Sequence, residues 1–389
     1  MAREVFRYFI VCPRGTETFA AEDIRAAGGT DIEIGQASLK YRGTVRSAYW
    51  LCLNSRVIQR VLMPIKNFEA HTPEHLYEGV RRVNWSKHMR VDQTLAVNFT
   101  TVRSAIAHTQ YGALKVKDAV VDQFRDATGE RPNVSKLEPD LRIHVHVERN
   151  EAEVSLDLSG ESLHRRGYRM DGAQAPMKET LAAGVLLHID LPKITAEGGA
   201  FFDPMCGSGT LAIEAGLIAI QKAPGLLRKH FGFLGWGYHD ANAWAEVKAE
   251  AEARVIRDPH ALKRLAPIIG TDQDGNVTRA AIGNVEAAGL RGVVHIEKRE
   301  LMSVEAPAGF AKGAFVVNPP YGERLGDVKD LEPLYKNLGD LMKQKFHGWQ
   351  GAILTGSPEL SKCIGLKTRA RIPLWNGPIE CRLLRYDLY

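Results

Sequence analysis

The densest chemical signal in the chain is Asn318-Pro319-Pro320-Tyr321, which follows directly on the apolar run 313–317. A strand ending in this tetrapeptide presents a side-chain carbonyl and the backbone carbonyl of Pro319, two acceptors that match the two hydrogens of an amino group. The two prolines remove competing donors and stiffen the loop. Tyr321 supplies a flat surface for a base. Asn318, Pro319, Pro320 and Tyr321 are therefore the candidate catalytic residues. A proline-stiffened turn without chemistry would account for Pro-Pro alone, but two further features precede it in the chain.

The first is Phe201-Phe202-Asp203, a strand end from which Pro204-Met205-Cys206-Gly207-Ser208-Gly209-Thr210 turns into a helix rich in Leu, Ala and Ile. Two glycines permit a tight bend and close backbone approach, and a helix start offers N–H groups to a polar cofactor. The third glycine of a dinucleotide fingerprint is replaced by Ala212, and no P-loop lysine follows. The second feature is another acidic strand end, Asp272 in Gly270-Thr271-Asp272-Gln273-Asp274, which can accept both ribose hydroxyls of an adenosyl group. Its distance from Gly209 far exceeds the roughly 20 residues of a simple βαβ unit. An insertion over 222–265 explains the gap.

The elements that must position these residues can be read from periodicity. Strands are expected at 200–203, 268–272, 293–297, 314–318 and 352–355, separated by helical patterns, which indicates a doubly wound, mostly parallel sheet. A hairpin around Asn376-Gly377 joins 367–373 to an antiparallel last strand at 381–388. Ahead of a boundary near residue 161, the chain alternates short strands and helices: a strand at 8–11, a helix at 17–27, and a helix over 111–128 ended by Gly129. Leu141, Ile143, Val145 and Val147 alternate with Arg142, His144, His146 and Glu148, a hairpin strand with one wet face that turns at Arg149-Asn150. The insertion carries Phe231, Phe233, Trp236, Tyr238 and Trp244 among basic residues, which either cover a core or touch bases.

Composition limits the function classes. With 389 residues the chain exceeds one ordinary core, and 44% hydrophobic with 25% charged residues is the balance of a folded globular protein. No apolar run reaches the ~18 residues of a membrane span and the first residues lack the pattern of a signal peptide, so a cytoplasmic location is expected. Five cysteines (Cys12, Cys52, Cys206, Cys363, Cys381) show no metal or disulfide spacing, and His144 with His146, or His71 with His75, lack a third ligand; no metal is expected. Net charge is only +5. Yet Arg81, Arg82, Lys87, Arg90, Arg103, Lys115 and Lys117 face Asp92 alone within their own stretch, and Arg165, Arg166 and Arg169 crowd a second. These ten are the candidate RNA contacts.

The combination of Asp203-Pro204-Met205-Cys206-Gly207-Ser208-Gly209-Thr210 with Asn318-Pro319-Pro320-Tyr321-Gly322-Glu323-Arg324 resembles the class I amino-methyltransferases that recognise an exocyclic nitrogen. Cys12-Pro13-Arg14-Gly15, the stretch from Lys115 to Asp122, Leu156-Asp157-Leu158-Ser159-Gly160, Leu163-His164-Arg165-Arg166-Gly167-Tyr168-Arg169 and Lys178-Glu179-Thr180-Leu181-Ala182-Ala183 extend the likeness. Together they look like the bacterial THUMP-containing guanine-N2 methyltransferases of 23S ribosomal RNA. The resemblance implies a ferredoxin-like unit over 1–65, a THUMP RNA-binding domain over 66–160 and a class I Rossmann-like catalytic domain over 161–389, with a seven-stranded sheet. It implies S-adenosylmethionine as cofactor, held by Thr180, Asp203, Pro204, Cys206, Gly207, Ser208, Gly209, Thr210, Asp272, Gln273, Glu300 and Asn318. Glu300 stands where relatives often carry an acid against the cofactor's adenine. Some relatives carry a second, fused methyltransferase; this sequence ends at Tyr389, and a single activity is expected. The implied partner is 23S rRNA or a large-subunit assembly intermediate. Guanine-N2 methylation of transfer RNA, N6-adenine methylation of DNA or RNA, and a noncatalytic RNA-binding assembly factor remain open alternatives.

Overall fold

The computed structural model describes residues 4–169, 177–322 and 325–389. The chain divides into two compact units. One comprises residues 1–12, 20–163 and 228–249, the other 13–19, 164–227 and 250–389. No helix among the described residues is long and apolar enough to cross a membrane.

The first unit is built on an eight-stranded sheet. Its strands are β1 (Phe6–Val11), β2 (Thr30–Ile34), β3 (Ser38–Gly43), β4 (Arg60–Glu69), β5 (Thr94–Val102), β6 (Asn133–Val134), β7 (Leu141–Glu148) and β8 (Glu151–Asp157), in the spatial order β2-β3-β1-β4-β8-β7-β5-β6. The β7–β8 hairpin closes through Arg149 and Asn150, both at positive φ (49° and 67°), the pair of left-handed residues that a two-residue turn needs to match strand twist. Helix Thr109–Thr128 buries Val116, Val120 and Phe124 and stops at Gly129, whose φ of 78° forms the left-handed cap. The face of β7 expected to be wet is half-buried instead. His146 lies opposite Thr100 of β5 and Ser155 of β8 lies opposite His144, so cross-strand neighbours crowd this face. Burial accordingly lowers the His144 pKa to about 4.

Residues 228–249 fold with this first unit, although in sequence they interrupt the second. Phe231, Phe233 and Trp236 are buried. The Phe233 ring lies 4.3 Å from that of Tyr49 and 5.0 Å from that of Trp244, and the Tyr49 hydroxyl bonds His239 Nδ1 at 3.1 Å. The aromatics of the insertion therefore cover a core. Segment 13–19 makes the reverse exchange: in the second unit His188 Nε2 bonds the Gly15 carbonyl at 2.8 Å and the Arg14 guanidinium stacks 3.7 Å over Trp375.

The second unit carries β9 (Ala200–Asp203), β10 (Ile268–Asp272), β11 (Val294–Lys298), β12 (Gly313–Val317), β13 (Gln350–Thr355), β14 (Ala370–Asn376) and β15 (Ile379–Asp387), in the order β11-β10-β9-β12-β13-β15-β14. β9 through β13 pair in parallel, and β15 runs antiparallel between β13 and β14. Every residue of β9 and β12 is buried, as strands covered on both faces must be. Phe201 joins an apolar layer with the helices Glu179–His188 and Thr210–Ala219, while Phe202 joins the opposite layer with Phe315, Leu338 and Phe346.

Replacing Phe233 by Ala should cost ~3–5 kcal/mol, the usual penalty for emptying a buried aromatic site. Calorimetry should show the loss in the transition of the first unit. A loss confined to the second unit would contradict the placement of the insertion.

Candidate functional site

β9 stands where the strand order reverses, with β10 on one side and β12 on the other. In open parallel sheets, ligands bind beyond the carboxyl ends of strands at this crevice. The three strand ends carry Asp203, Asp272 and Asn318, so parallel pairing assembles at one edge the motifs that the sequence scatters.

The turn after β9 is pinned at several points. Cys206 N–H donates to the Thr271 carbonyl at 2.8 Å, Gly207 N–H to Asp272 Oδ2 at 3.0 Å, and Gly209 N–H to the Cys206 carbonyl at 2.8 Å. Gly207 and Gly209 have φ of 53° and 84°, conformations that a side chain disfavours. Two of the donors expected to serve a cofactor are thus spent inside the protein, and the turn acts as a shaped wall. A Cβ on Gly207 would meet nothing within 4 Å, so this wall borders open space. Asn284 Nδ2 donates to the Ser208 carbonyl at 3.0 Å from the neighbouring helix. Burial pushes the Cys206 thiol up, making it an apolar lining residue.

The two carboxyl groups differ in setting. Asp272 is half-buried and oriented by N–H groups of Gly207 and Asp274, the latter at 3.1 Å on Oδ1, so its remaining lone pairs point to a fixed place. Asp203 is buried; burial, reinforced by Asp272, pushes its pKa up to about 8 against the opposing bond from Met205 N–H at 3.2 Å. Near neutral pH Asp203 therefore holds its proton.

At the end of β12, Asn318 Oδ1 is buried and has no hydrogen-bond partner among the described residues. An orphaned carbonyl of this kind carries a cost of about 1–3 kcal/mol, which a donor from a bound group would remove. Pro319 is buried behind it and Pro320 is exposed. Tyr321 is wedged between the two apolar layers, and its hydroxyl accepts from Asn376 Nδ2 at 2.9 Å. Asn376 is a positioning residue: the Asn-Gly signal marks it as part of the last hairpin, and its bond to Tyr321 is visible only in the fold.

Other expected site residues are placed differently. Thr180 is buried, Gln273 and Glu300 are exposed, and Pro204 and Thr210 are buried within the turn. Arg166 and Arg169 were expected to contact RNA, and neither is available for it. Arg166 is buried beside Glu214 at 3.5 Å, with the Tyr168 hydroxyl on the same carboxylate. Arg169 binds Glu179 at 2.6 Å, the Met177 carbonyl at 2.7 Å, Thr210 Oγ1 at 3.0 Å and Ser208 Oγ at 3.3 Å. It clamps the glycine turn. Arg165 is exposed.

The basic stretch of the first unit is largely compensated. Arg81 pairs with Asp126, Arg82 with Glu78, Arg90 with Asp92, Lys115 with Glu74 and Lys117 with Asp118. Among the described residues, only Lys87 and Arg103 of the seven make no ion pair. Partners outside the stretch, supplied by helix 73–81 and by the helix bearing the lysines, were hidden from a local charge count.

Two outcomes test this arrangement. Arg169→Ala strands the buried Glu179 carboxylate, which should cost ~3–5 kcal/mol in denaturant unfolding while leaving the salt dependence of RNA binding unaltered; a flattened dependence would restore Arg169 as a phosphate contact. For Asp203, the folded state retains its proton up to about pH 8, whereas the unfolded chain releases it near the ordinary value of about 4. Its ionisation therefore opposes folding increasingly as pH rises through that window. Asp203→Asn should gain melting temperature relative to the parent between pH 5 and pH 8; a constant difference would show that Asp203 is ionised throughout.

Comparison with known proteins agrees with this architecture. A family described as RlmL ferredoxin-like domain matches residues 7–62 and one described as THUMP domain matches residues 70–157. The curated Ribosomal RNA large subunit methyltransferase K/L of Methylococcus capsulatus is 46% identical over 98% of this chain, which covers 51% of that protein. The chain thus spans about half the length of the curated relatives it matches. Among solved structures, SMU.472, a provisionally assigned methyltransferase complexed with SAH, is 26% identical with a TM-score of 0.85, covering 100% of this chain and 99% of that one. A protein of Listeria monocytogenes provisionally assigned as an N6-adenine-specific DNA methylase is 26% identical with a TM-score of 0.83, covering 99% of this chain and 97% of that one. The family described as RMKL-like, methyltransferase domain, matches residues 166–385, more than half of the sequence, and the chain belongs to that family.

Proposed function

We propose that this chain is an S-adenosylmethionine-dependent RNA methyltransferase that forms N2-methylguanosine in 23S ribosomal RNA. The observation that carries the reading is Asn318 Oδ1, a buried acceptor without a partner at the strand end beside the switch point. Its demand for a donor suits an amino group, whose two hydrogens can answer both Asn318 Oδ1 and the Pro319 carbonyl, whereas a ring carbon offers no such donor and a ribose hydroxyl only one. The open space over Gly207 and the oriented carboxylate of Asp272 fit an adenosyl cofactor on the neighbouring strand ends. The family and the large-subunit rRNA methyltransferase relative support the reaction class and the RNA substrate. Guanine rests on the resemblance of the motifs. A ribosomal RNA substrate would place the work in the cytoplasm, on rRNA or an assembling large subunit.

When bound, S-adenosylmethionine supplies an electrophilic sulfonium methyl group. The protein's part is alignment and charge stabilisation. Asn318 Oδ1 and the Pro319 carbonyl accept the amino hydrogens, which favours the more pyramidal and more positive nitrogen that develops during transfer. Asn376 fixes the hydroxyl of Tyr321 and so holds the ring that a base would stack on. Asp272 would hold the ribose hydroxyls of the cofactor, and the wall of Gly207 would allow its close approach. Because pairing in a duplex hides the amino group, the target must be unpaired or flipped.

Asn318→Ala should reduce the single-turnover rate by ~10² or more, as loss of one preorganised hydrogen-bonding group does, while the cofactor still binds. Asn318→Asp keeps an acceptor and should retain partial activity. Mass spectrometry of nucleosides from 23S rRNA should show N2-methylguanosine formed by the parent. N6-methyladenosine in its place would overturn the choice of base, and a fully active Asn318→Ala would overturn the mechanism.

A further inference from the structure

Beside the Asn318 loop lies a cleft of about 400 Å³ that the proposed chemistry does not use. Its walls are the end of β13 and the residues after it (Thr355, Gly356, Ser357), the helix that follows, and the outer face of the β14–β15 hairpin. Three cations line it: Lys362, Arg371 and Arg382. The arginines share one face because Arg382 pairs across the strands with Pro373, two residues beyond Arg371. All three are exposed, and Arg371 Nε donates only to Thr368 Oγ1, at 3.2 Å.

Two observations separate this cluster from an ordinary solvated face. Among the described residues none of the three forms an ion pair, whereas most cations of the basic stretch in the first unit are already matched to carboxylates. Glu380 is the one acid lining the cleft, so a net positive charge remains. The cleft also adjoins the catalytic loop: a Cβ on Gly356 would fall 3.1 Å from the Tyr321 ring, so the wall of one is in contact with the other. β13 runs parallel to β12 and ends at the same sheet edge, so the cleft and Asn318 lie at one edge.

We propose that this cleft binds the sugar–phosphate backbone of single-stranded RNA next to the target nucleotide, with Lys362, Arg371 and Arg382 as the phosphate contacts. Hydroxyls of Thr355, Ser357 and Ser361 line the same cleft and suit phosphate or ribose oxygens. The assignment rests on the RNA methyltransferase reading and adds the surface that delivers the base. Uncompensated cations bind RNA phosphates and release their counterions, whereas paired ones must first give up a carboxylate to take a phosphate, so the cleft should dominate the salt dependence.

The test is fluorescence anisotropy of the full chain with a labelled single-stranded RNA oligonucleotide of mixed sequence, titrated across salt concentrations. Lys362→Gln, Arg371→Gln and Arg382→Gln should each lower the slope of log affinity against log salt by about 0.7, the value for one phosphate contact on a single strand. S-adenosylhomocysteine affinity and melting temperature should stay at parent values, since the three side chains are exposed. In parallel, methyl transfer to 23S rRNA should show a raised KM for RNA with kcat retained. Unchanged slopes in all three variants would overturn the cleft as an RNA site even where rRNA is methylated. Lowered slopes with no methylation of rRNA by the parent would support the cleft and sink the substrate reading alone.

Discussion

The parallel pairing of β9 with both β10 and β12 is the constraint on which the site depends. Asp203, Asp272 and Asn318 come from distant parts of the chain, and only a common strand direction puts their strand ends at one edge. That direction is enforced by burial. Each residue of β9 and β12 lies inside, Phe201 and Phe202 feeding opposite apolar layers, so a slip of one residue would exchange the two layers and strand both phenylalanines. The chemistry is held by the core, and the loops only have to turn.

How those loops turn is decided by polar groups that never reach a ligand. Cys206 and Gly207 donate to β10, Asn284 donates to Ser208, and Arg169 binds Ser208 and Thr210 while its charge is balanced by buried Glu179. Each such bond contributes only about 1 kcal/mol net, yet leaving any of these groups buried and unmatched costs more, which favours one conformation of the turn over its alternatives. Asn318 Oδ1 stands apart from these matched groups: it is a buried acceptor without a partner among the described residues, at the strand end beside the switch point. A buried carbonyl left in this state marks a place where a donor from a bound group belongs.

Much of this was legible because buried parallel strands leave an unmistakable trace. Continuous apolar runs ending in Asp203, Asp272 and Asn318 gave the strands of the second unit to within a few residues, and the mostly parallel sheet with an antiparallel last strand followed. Arg149-Asn150 and Gly129 were legible for local reasons, since few residues tolerate positive φ. What escaped was relational. An arginine-rich run looks alike whether its guanidiniums meet phosphate or Glu214 and Glu179, and nothing near Arg166 or Arg169 in sequence identifies those distant acids. The aromatics of the insertion are equally mute about their partner, because Tyr49 lies far away in the chain. Asn376 is legible only as part of the Asn-Gly turn of the last hairpin; nothing in that signal points to Tyr321, to which the hairpin geometry brings it.

Charge count and charge availability part company here for the same reason. The segment richest in Lys and Arg is neutralised by neighbours one helical turn away or on an adjacent helix, so its field beyond the surface is weak. Among the described residues, Arg371 and Arg382 of the last hairpin form no ion pair, although Arg369 beside them pairs with Asp387. Exposed ion pairs stabilise a fold by at most about 1 kcal/mol, so their main physical effect is to cancel a field that would otherwise attract polyanions. An antiparallel hairpin at the carboxyl edge of a parallel sheet offers the opposite condition. Its outer face lines an open cleft together with the helix that follows β13, and Arg371 and Arg382 lie there, near the Asn318 loop. Recognition of the backbone and recognition of the amino group would then be built on strands of one sheet, with only β13 between β12 and the hairpin, which fixes their separation without recourse to a mobile loop.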